Sequence, residues 1–139
     1  MPKQKKLPLG GCRSKSGGAH VFLFVSEWIP AALMRAKLKI MAAALGYSEC
    51  EIFPKQEYIL IERGDTGSFL NLPYHGGDKT TRYAFKDNGE AANLKEFIEL
   101  HAKYKLTKNK FENFAKLKIA ICGDILHSRV ARSNIIILS

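Results

Sequence analysis

The densest run of chemically useful side chains is Arg13-Ser14-Lys15-Ser16-Gly17-Gly18-Ala19-His20, directly before the apolar run Val21 to Val25. It is a cationic, hydroxyl-bearing turn with two glycines. Glycine lets backbone N–H groups approach an anion closely, and Ser, Lys and His add further donors. That combination suits a triphosphate. No GK[ST] follows at the spacing of a Walker loop. The same residues are also compatible with a flexible loop before a strand, with His20 at the surface or in the core.

Two further groups stand downstream. Glu51-Ile52-Phe53-Pro54-Lys55-Gln56 offers a carboxylate of the hard-oxygen type that Mg²⁺ prefers, beside a lysine and an amide. An exposed strand glutamate is the plainer reading of Glu51. Asn71-Leu72-Pro73-Tyr74 follows a loop containing Gly64 and Gly67. Asn71 has the donors and acceptors to position a base or sugar, or to bond its own backbone in a turn.

These groups must be positioned by a small set of elements. Val21 to Val25 reads as a buried strand because it is wholly apolar and bounded by polar and glycine-rich residues. Pro30 suits a helix start. Leu33, Leu38, Met41, Ala42 and Leu45 then recur at helical spacing, with Arg35, Lys37 and Lys39 between them, and Gly46 ends the helix. Cys50 to Phe53, Tyr58 to Glu62 and Thr80 to Phe85 read as strands. Arg63 to Ser68 reads as a loop, and Asp87-Asn88-Gly89 as a turn. Pro73 disfavours a central strand at Phe69 to Tyr74. Asn93 is placed to cap a helix whose face is Leu94, Phe97, Ile98, His101 and Tyr104. Lys105 to Lys110 reads as a linker. Leu117 to Cys122, Gly123 to Ser128 and Arg129 onward form a strand, a loop and a helix start.

Taken in order, Ser-Lys-Ser-Gly-Gly-Ala-His on a strand, the helix, Glu-Ile-Phe-Pro-Lys-Gln and Asn-Leu-Pro-Tyr resemble the archaeo-eukaryotic primase-polymerase family, in its phage and conflict-system variants. The resemblance covers about residues 11–105. It implies an α+β fold: a partial RRM-like primase-polymerase sheet with flanking helices, here followed by a C-terminal strand–loop–helix unit. It places His20, with Ser16 and Lys15, on the triphosphate of an incoming nucleotide. Arg13, Ser14, Gly17, Gly18, Lys55, Gln56 and Asn71 complete the implied nucleotide site. His20 and Glu51 are the implied catalytic residues, Glu51 as ligand to Mg²⁺ or Mn²⁺. Nucleoside triphosphates are the expected partners, with single-stranded DNA as a further candidate. The family's first motif, a pair of carboxylates, belongs before His20, yet residues 1–19 contain no Asp or Glu. Two-metal phosphoryl transfer needs such a pair, so efficient polymerisation by this chain alone is not expected.

Leu117 to Asn134 (LKIAICGDILHSRVARSN) resembles a different family, aspartate carbamoyltransferase. That resemblance implies that Arg129 contacts the carboxylate of the substrate aspartate, a task suited to a bidentate guanidinium. A strand and basic helix without a ligand fit the same residues. The expected organisation is therefore a basic tail at 1–10, a primase-polymerase-like part at 11–105, a linker at 106–114 and a truncated carbamoyltransferase-like unit at 115–139. The alternative functional reading is a carbamoyltransferase fragment, or a nonfunctional fusion of two gene fragments.

Composition bounds the rest. The 139 residues carry a net charge of +9, distributed as +5 over 1–20, −2 over 21–101 and +6 over 102–139. Charge gathered at two ends is weak support for nucleic-acid binding, because basic tails are often only solvated. Cys12, Cys50 and Cys122 lie far apart, which suggests neither a disulfide framework nor a zinc site and favours reduced, mostly buried thiols. No run of about 18 apolar residues predicts a membrane span, and a cytoplasmic location is expected. Exposed sheet edges in a partial domain would permit self-association.

Overall fold

The computed structural model describes residues 7–113. Two compact units divide them: residues 7–28 with 71–111, and residues 29–70 with 112–113. The architecture is mixed, with one two-stranded antiparallel sheet and a few helices among the described residues.

The first unit is built on a hairpin. Strands β1 (Leu9–Arg13) and β2 (Ala19–Leu23) pair antiparallel, with Cys12 opposite His20 and Arg13 opposite Ala19. Gly10 sits against the Phe24 ring, where a Cβ would come within 2.8 Å of Cε2. The backbone of residues 83–85 lies along β1: Arg13 N–H donates to Tyr83 O at 2.8 Å, and Phe85 N–H donates to Gly11 O at 2.9 Å. Thr80 to Phe85 is thus no full strand. Only Ala84 and Phe85 make bridges, to Cys12 and Ala91, because Arg82 and Thr80 are drawn into a local turn in which the Thr80 hydroxyl accepts from Arg82 N–H at 3.0 Å.

Tyr74 is the hub of this unit. Its backbone is left-handed, with φ 56°. Its hydroxyl donates to Ala92 O at 2.6 Å and accepts from Ala84 N–H at 2.9 Å, inside a core of Cys12, Tyr74, Ala84 and Ala92. The hydroxyl thereby satisfies two buried backbone groups that no strand partner reaches. Helix α1 (Ala31–Ala44) belongs to the second unit; the helix packed here is α2 (Leu94–Tyr104). Asn93 caps it as expected: its side chain accepts from Glu96 N–H, and Glu96 reaches back to Asn93 N–H. The packed face is rotated from the expected one. Phe97 and Leu100 meet the core, with Phe97 stacked on Tyr74 at 5.0 Å and His101 against Phe24 at 4.9 Å, while Ile98 is 58% exposed.

The expected linker at 106–114 is structured where it is described. Leu106 is buried and bridges Val25 in parallel, and α3 (Lys108–Asn113) follows, with Phe111 fully buried. Lys108 N–H donates to the Glu27 carboxylate at 3.0 Å. A leucine and a phenylalanine among polar residues were enough to anchor it.

In the second unit, α1 (Ala31–Ala44) follows the expected span. Gly46, at φ 87°, ends it: Gly46 N–H donates to Ala43 O and Tyr47 N–H to Ala42 O, the paired bonds of a Schellman turn. The buried face differs from the expected one. Lys37, Met41 and Ala43 are buried, while Leu33 and Leu45 are exposed. The Lys37 ammonium donates to Glu112 O at 3.0 Å, and burial pulls its pKa below the ordinary lysine value. The segments 50–53 and 58–62, expected as strands, are not strands. Residues 50–60 lack regular structure, and Ile61–Arg63 forms one 3-10 turn. Apolar side chains alone do not make a strand when no partner strand completes their hydrogen bonds. Here local side-chain bonds hold the segment instead: Gln56 to Thr66 O at 3.3 Å, and the Asp65 carboxylate to Leu60 N–H at 3.3 Å.

Candidate functional site

The expected triphosphate turn is the β1–β2 connection. Ser14 N–H donates to Gly18 O at 2.8 Å and Gly17 N–H to Ser14 O at 3.2 Å, which closes the loop tightly. Gly17 has φ 90°, a conformation that strongly favours glycine. Ser14 is buried, and its hydroxyl lies 3.2 Å from that of Ser16. Lys15 and Ser16 are exposed, and their backbone N–H groups have no hydrogen-bond partner among the described residues. One ammonium, one hydroxyl and two unused amide donors therefore lie within two consecutive residues. This is a reasonable cradle for an oxyanion.

The register separates other members of the expected site. Opposed residues of an antiparallel pair share a face, and neighbours along a strand alternate. His20 lies opposite the buried Cys12 and packs edge-on against Phe22 at 6.4 Å. Arg13 belongs to the other face and donates to Thr81 O at 3.2 Å. His20 is half-buried, so it is positioned by the core face of the hairpin. Asn71 is exposed at the start of the second stretch of this unit.

Glu51, Lys55 and Gln56 fall in the other unit. Glu51 is exposed, is not on a strand, and forms an ion pair with Lys55, four residues on. Lys55 also stands over the Phe53 ring at 5.1 Å. Gln56 is engaged by Thr66 O and the Ser68 hydroxyl. Among the described residues no group of three or more His, Cys, Asp or Glu is gathered as a metal ion would need. Glu51 supplies one carboxylate, already matched by an ammonium, and that does not make a two-metal clamp. Arg129, the expected aspartate-binding residue, lies outside the described residues.

The cysteines divide. Cys12 is buried in the hairpin core, and burial pushes its thiol up to about 11. Cys50 is exposed, against the expectation of buried thiols. Sequence reasoning also passed over Arg35 and Lys39, reading them only as the polar side of α1. Their spacing of four was the available signal, since it puts two cations on one helix face. No helix among the described residues is long and apolar enough to cross a membrane.

Comparison with known proteins finds a short, dense likeness. The chain is 71% identical over 28 residues to the aspartate carbamoyltransferase catalytic subunit of Ehrlichia canis (strain Jake), covering 20% of this chain and 9% of that protein. It is 57% identical over 37 residues to the catalytic subunit of Wolbachia sp. subsp. Drosophila simulans (strain wRi), covering 27% and 12%. It is 82% identical over 22 residues to that of Methylorubrum extorquens (strain PA1), covering 16% and 7%. The chain thus spans about a tenth of the length of the curated relatives it matches. No protein-family model matches the chain, and no solved structure matches it.

Proposed function

We propose that this chain joins a carboxy-terminal segment derived from an aspartate carbamoyltransferase catalytic subunit, which includes the Leu117 to Asn134 run, to an amino-terminal part of different origin, and that the joined chain does not transfer carbamoyl groups. The observation that carries this reading is the 71% identity over 28 residues against 9% of the relative's length. Identity that dense argues for common origin. A tenth of an enzyme that must hold two substrates is too little to assemble its site, and Arg129 alone is not a site. Incubation with carbamoyl phosphate and aspartate is expected to form no carbamoyl-aspartate above the uncatalysed background. Product formation that disappears in Arg129→Ala would overturn the reading.

A second reading concerns the amino-terminal part and rests on the β1–β2 turn. It keeps the resemblance to a primase-polymerase domain: a remnant that binds nucleoside triphosphate, with Lys15, Ser16 and the turn amides on the phosphates and His20 behind them. The exposed Lys15 ammonium beside two unused N–H groups supports it. A hydrogen bond to a charged group contributes about 1.5–3 kcal/mol, so Lys15→Gln should weaken ATP binding at least about tenfold. Calorimetric titration with ATP and Mg²⁺ checks this for the parent, Lys15→Gln and His20→Ala. Equal affinity in all three, or binding by none, removes the reading.

A further inference from the structure

The second unit contains a cavity of about 380 Å³ between α1 and the segment that follows it. That is near the lower end of ordinary small-ligand pockets, ~300–1,000 Å³. One wall is a helical stripe, Arg35, Lys39 and Ala43, each four residues from the last. The other is Ser48, Cys50 and Ile52, alternate residues of the chain as it runs back after the Schellman turn at Gly46. The cavity is therefore built by the helix stop: without Gly46 at φ 87° the chain would not turn to face α1.

The charge of this cavity is unbalanced. Arg35 and Lys39 are like charges at helical spacing, an arrangement that opposes the helix. Glu57 matches Arg35 at 3.0 Å. Lys39 has no partner among the described residues, so one positive charge remains. The Nε of Arg35 is buried away from water, so the guanidinium faces a ligand through its outer nitrogens, of which Nη1 is held by Glu57. Ser48 adds a hydroxyl, which donates to the exposed Glu49 carboxylate at 3.3 Å and must turn from it to serve a ligand, while Ala43 and Ile52 add an apolar patch that a bare inorganic ion does not need.

We infer that this cavity is a binding site for a small phosphate monoester of sugar size. Its phosphate meets the Lys39 ammonium, the Arg35 guanidinium and the Ser48 hydroxyl, and its carbon frame rests on Ala43 and Ile52. The site is independent of the β1–β2 turn and of the carbamoyltransferase-like segment, and nothing in the proposed function requires it.

Cys50 provides the readout, because its exposed thiol lines the same cavity. The full chain is treated with N-ethylmaleimide, and modification of Cys50 is followed by peptide mass, which separates it from Cys12 and Cys122. Ribose 5-phosphate at about ten times its dissociation constant should slow Cys50 modification about tenfold, by simple occupancy. Ribose at the same concentration should give no protection, and inorganic phosphate should protect only at higher concentration. Lys39→Gln, an exposed change that leaves the fold intact, should abolish protection. Lys15→Gln should preserve it, which separates this site from the nucleotide reading. Absence of protection by ribose 5-phosphate, protection unchanged in Lys39→Gln, or equal protection by inorganic phosphate would overturn the inference.

Discussion

The two units place their polar side chains by different means. In the first, position is set by backbone pairing: the β1–β2 ladder, the 83–85 stretch along β1, and the Tyr74 hydroxyl bridging Ala84 and Ala92. In the second, beyond α1, position is set by side chains bonding to side chains and loops, as in Arg35–Glu57, Glu51–Lys55 and Gln56–Thr66. Backbone pairing within a core is cooperative and excludes water. Exposed side-chain pairs are individually weak. The His20 side chain is therefore positioned by the ladder its backbone belongs to, while Glu51 is held by a single side-chain ion pair.

The largest effect that could break this contrast is at Tyr74. Tyr74→Phe keeps the ring stacked on Phe97 but strips two buried backbone groups of their partner. Leaving a buried polar group unsatisfied costs about 1–3 kcal/mol, so urea unfolding should show a loss of about 2–4 kcal/mol. Amide exchange at Ala84 should rise in step. A loss no greater than that of an exposed ion pair would erase the distinction between the units.

Next in size is the α2 cap. Asn93→Ala removes the acceptor for Glu96 N–H and should cost about 1 kcal/mol, measured by the same unfolding curves. The cap also has a pH signature. The bond from Asn93 N–H, with the nearby Lys86 ammonium, holds the Glu96 carboxyl below its ordinary value. A depressed folded-state pKa gives stability that is present above the unfolded value of 4.5 and is lost as pH falls through the folded one. Thermal midpoints should therefore decline below about pH 4.5, and Glu96→Gln should flatten that decline.

The smallest effect sharpens the comparison from the other side. Glu57→Gln breaks the ion pair with Arg35, whose partner carboxylate is 46% exposed. Pairs of this kind contribute about 0.2–1 kcal/mol, so its unfolding midpoint should barely move. The same variant leaves Arg35 without its carboxylate, and Cys50 protection by ribose 5-phosphate should strengthen, since the cavity gains positive charge.

The legible parts of this protein were those where a local rule was sufficient. Helix α1 followed from apolar spacing with Pro30 before it and Gly46 after it, and α2 began where Asn93 and Glu96 form a capping box. The β1–β2 turn was legible because glycine and hydroxyl residues cluster before an apolar run. The misread parts were those where a partner decides. Val21 to Val25 looked buried, yet Val21 is 56% exposed, because the strand lies in a two-stranded sheet with one face only partly covered. Residues 50–53 and 58–62 carried strand-like side chains with no strand among the described residues to pair with.

The sequence by itself determined the two helix starts and stops, the positive turn at Lys15, and a short segment with the stamp of aspartate carbamoyltransferase, because each is written in consecutive residues. Only the tertiary structure decided that Lys37 is buried while Leu33 and Leu45 are not, that His20 and Arg13 take opposite faces of the hairpin, and that Arg35, Lys39 and Cys50 share one cavity. Those outcomes depend on which surfaces remain to be covered once the helices and the hairpin exist, and a periodicity read along the chain does not contain that information.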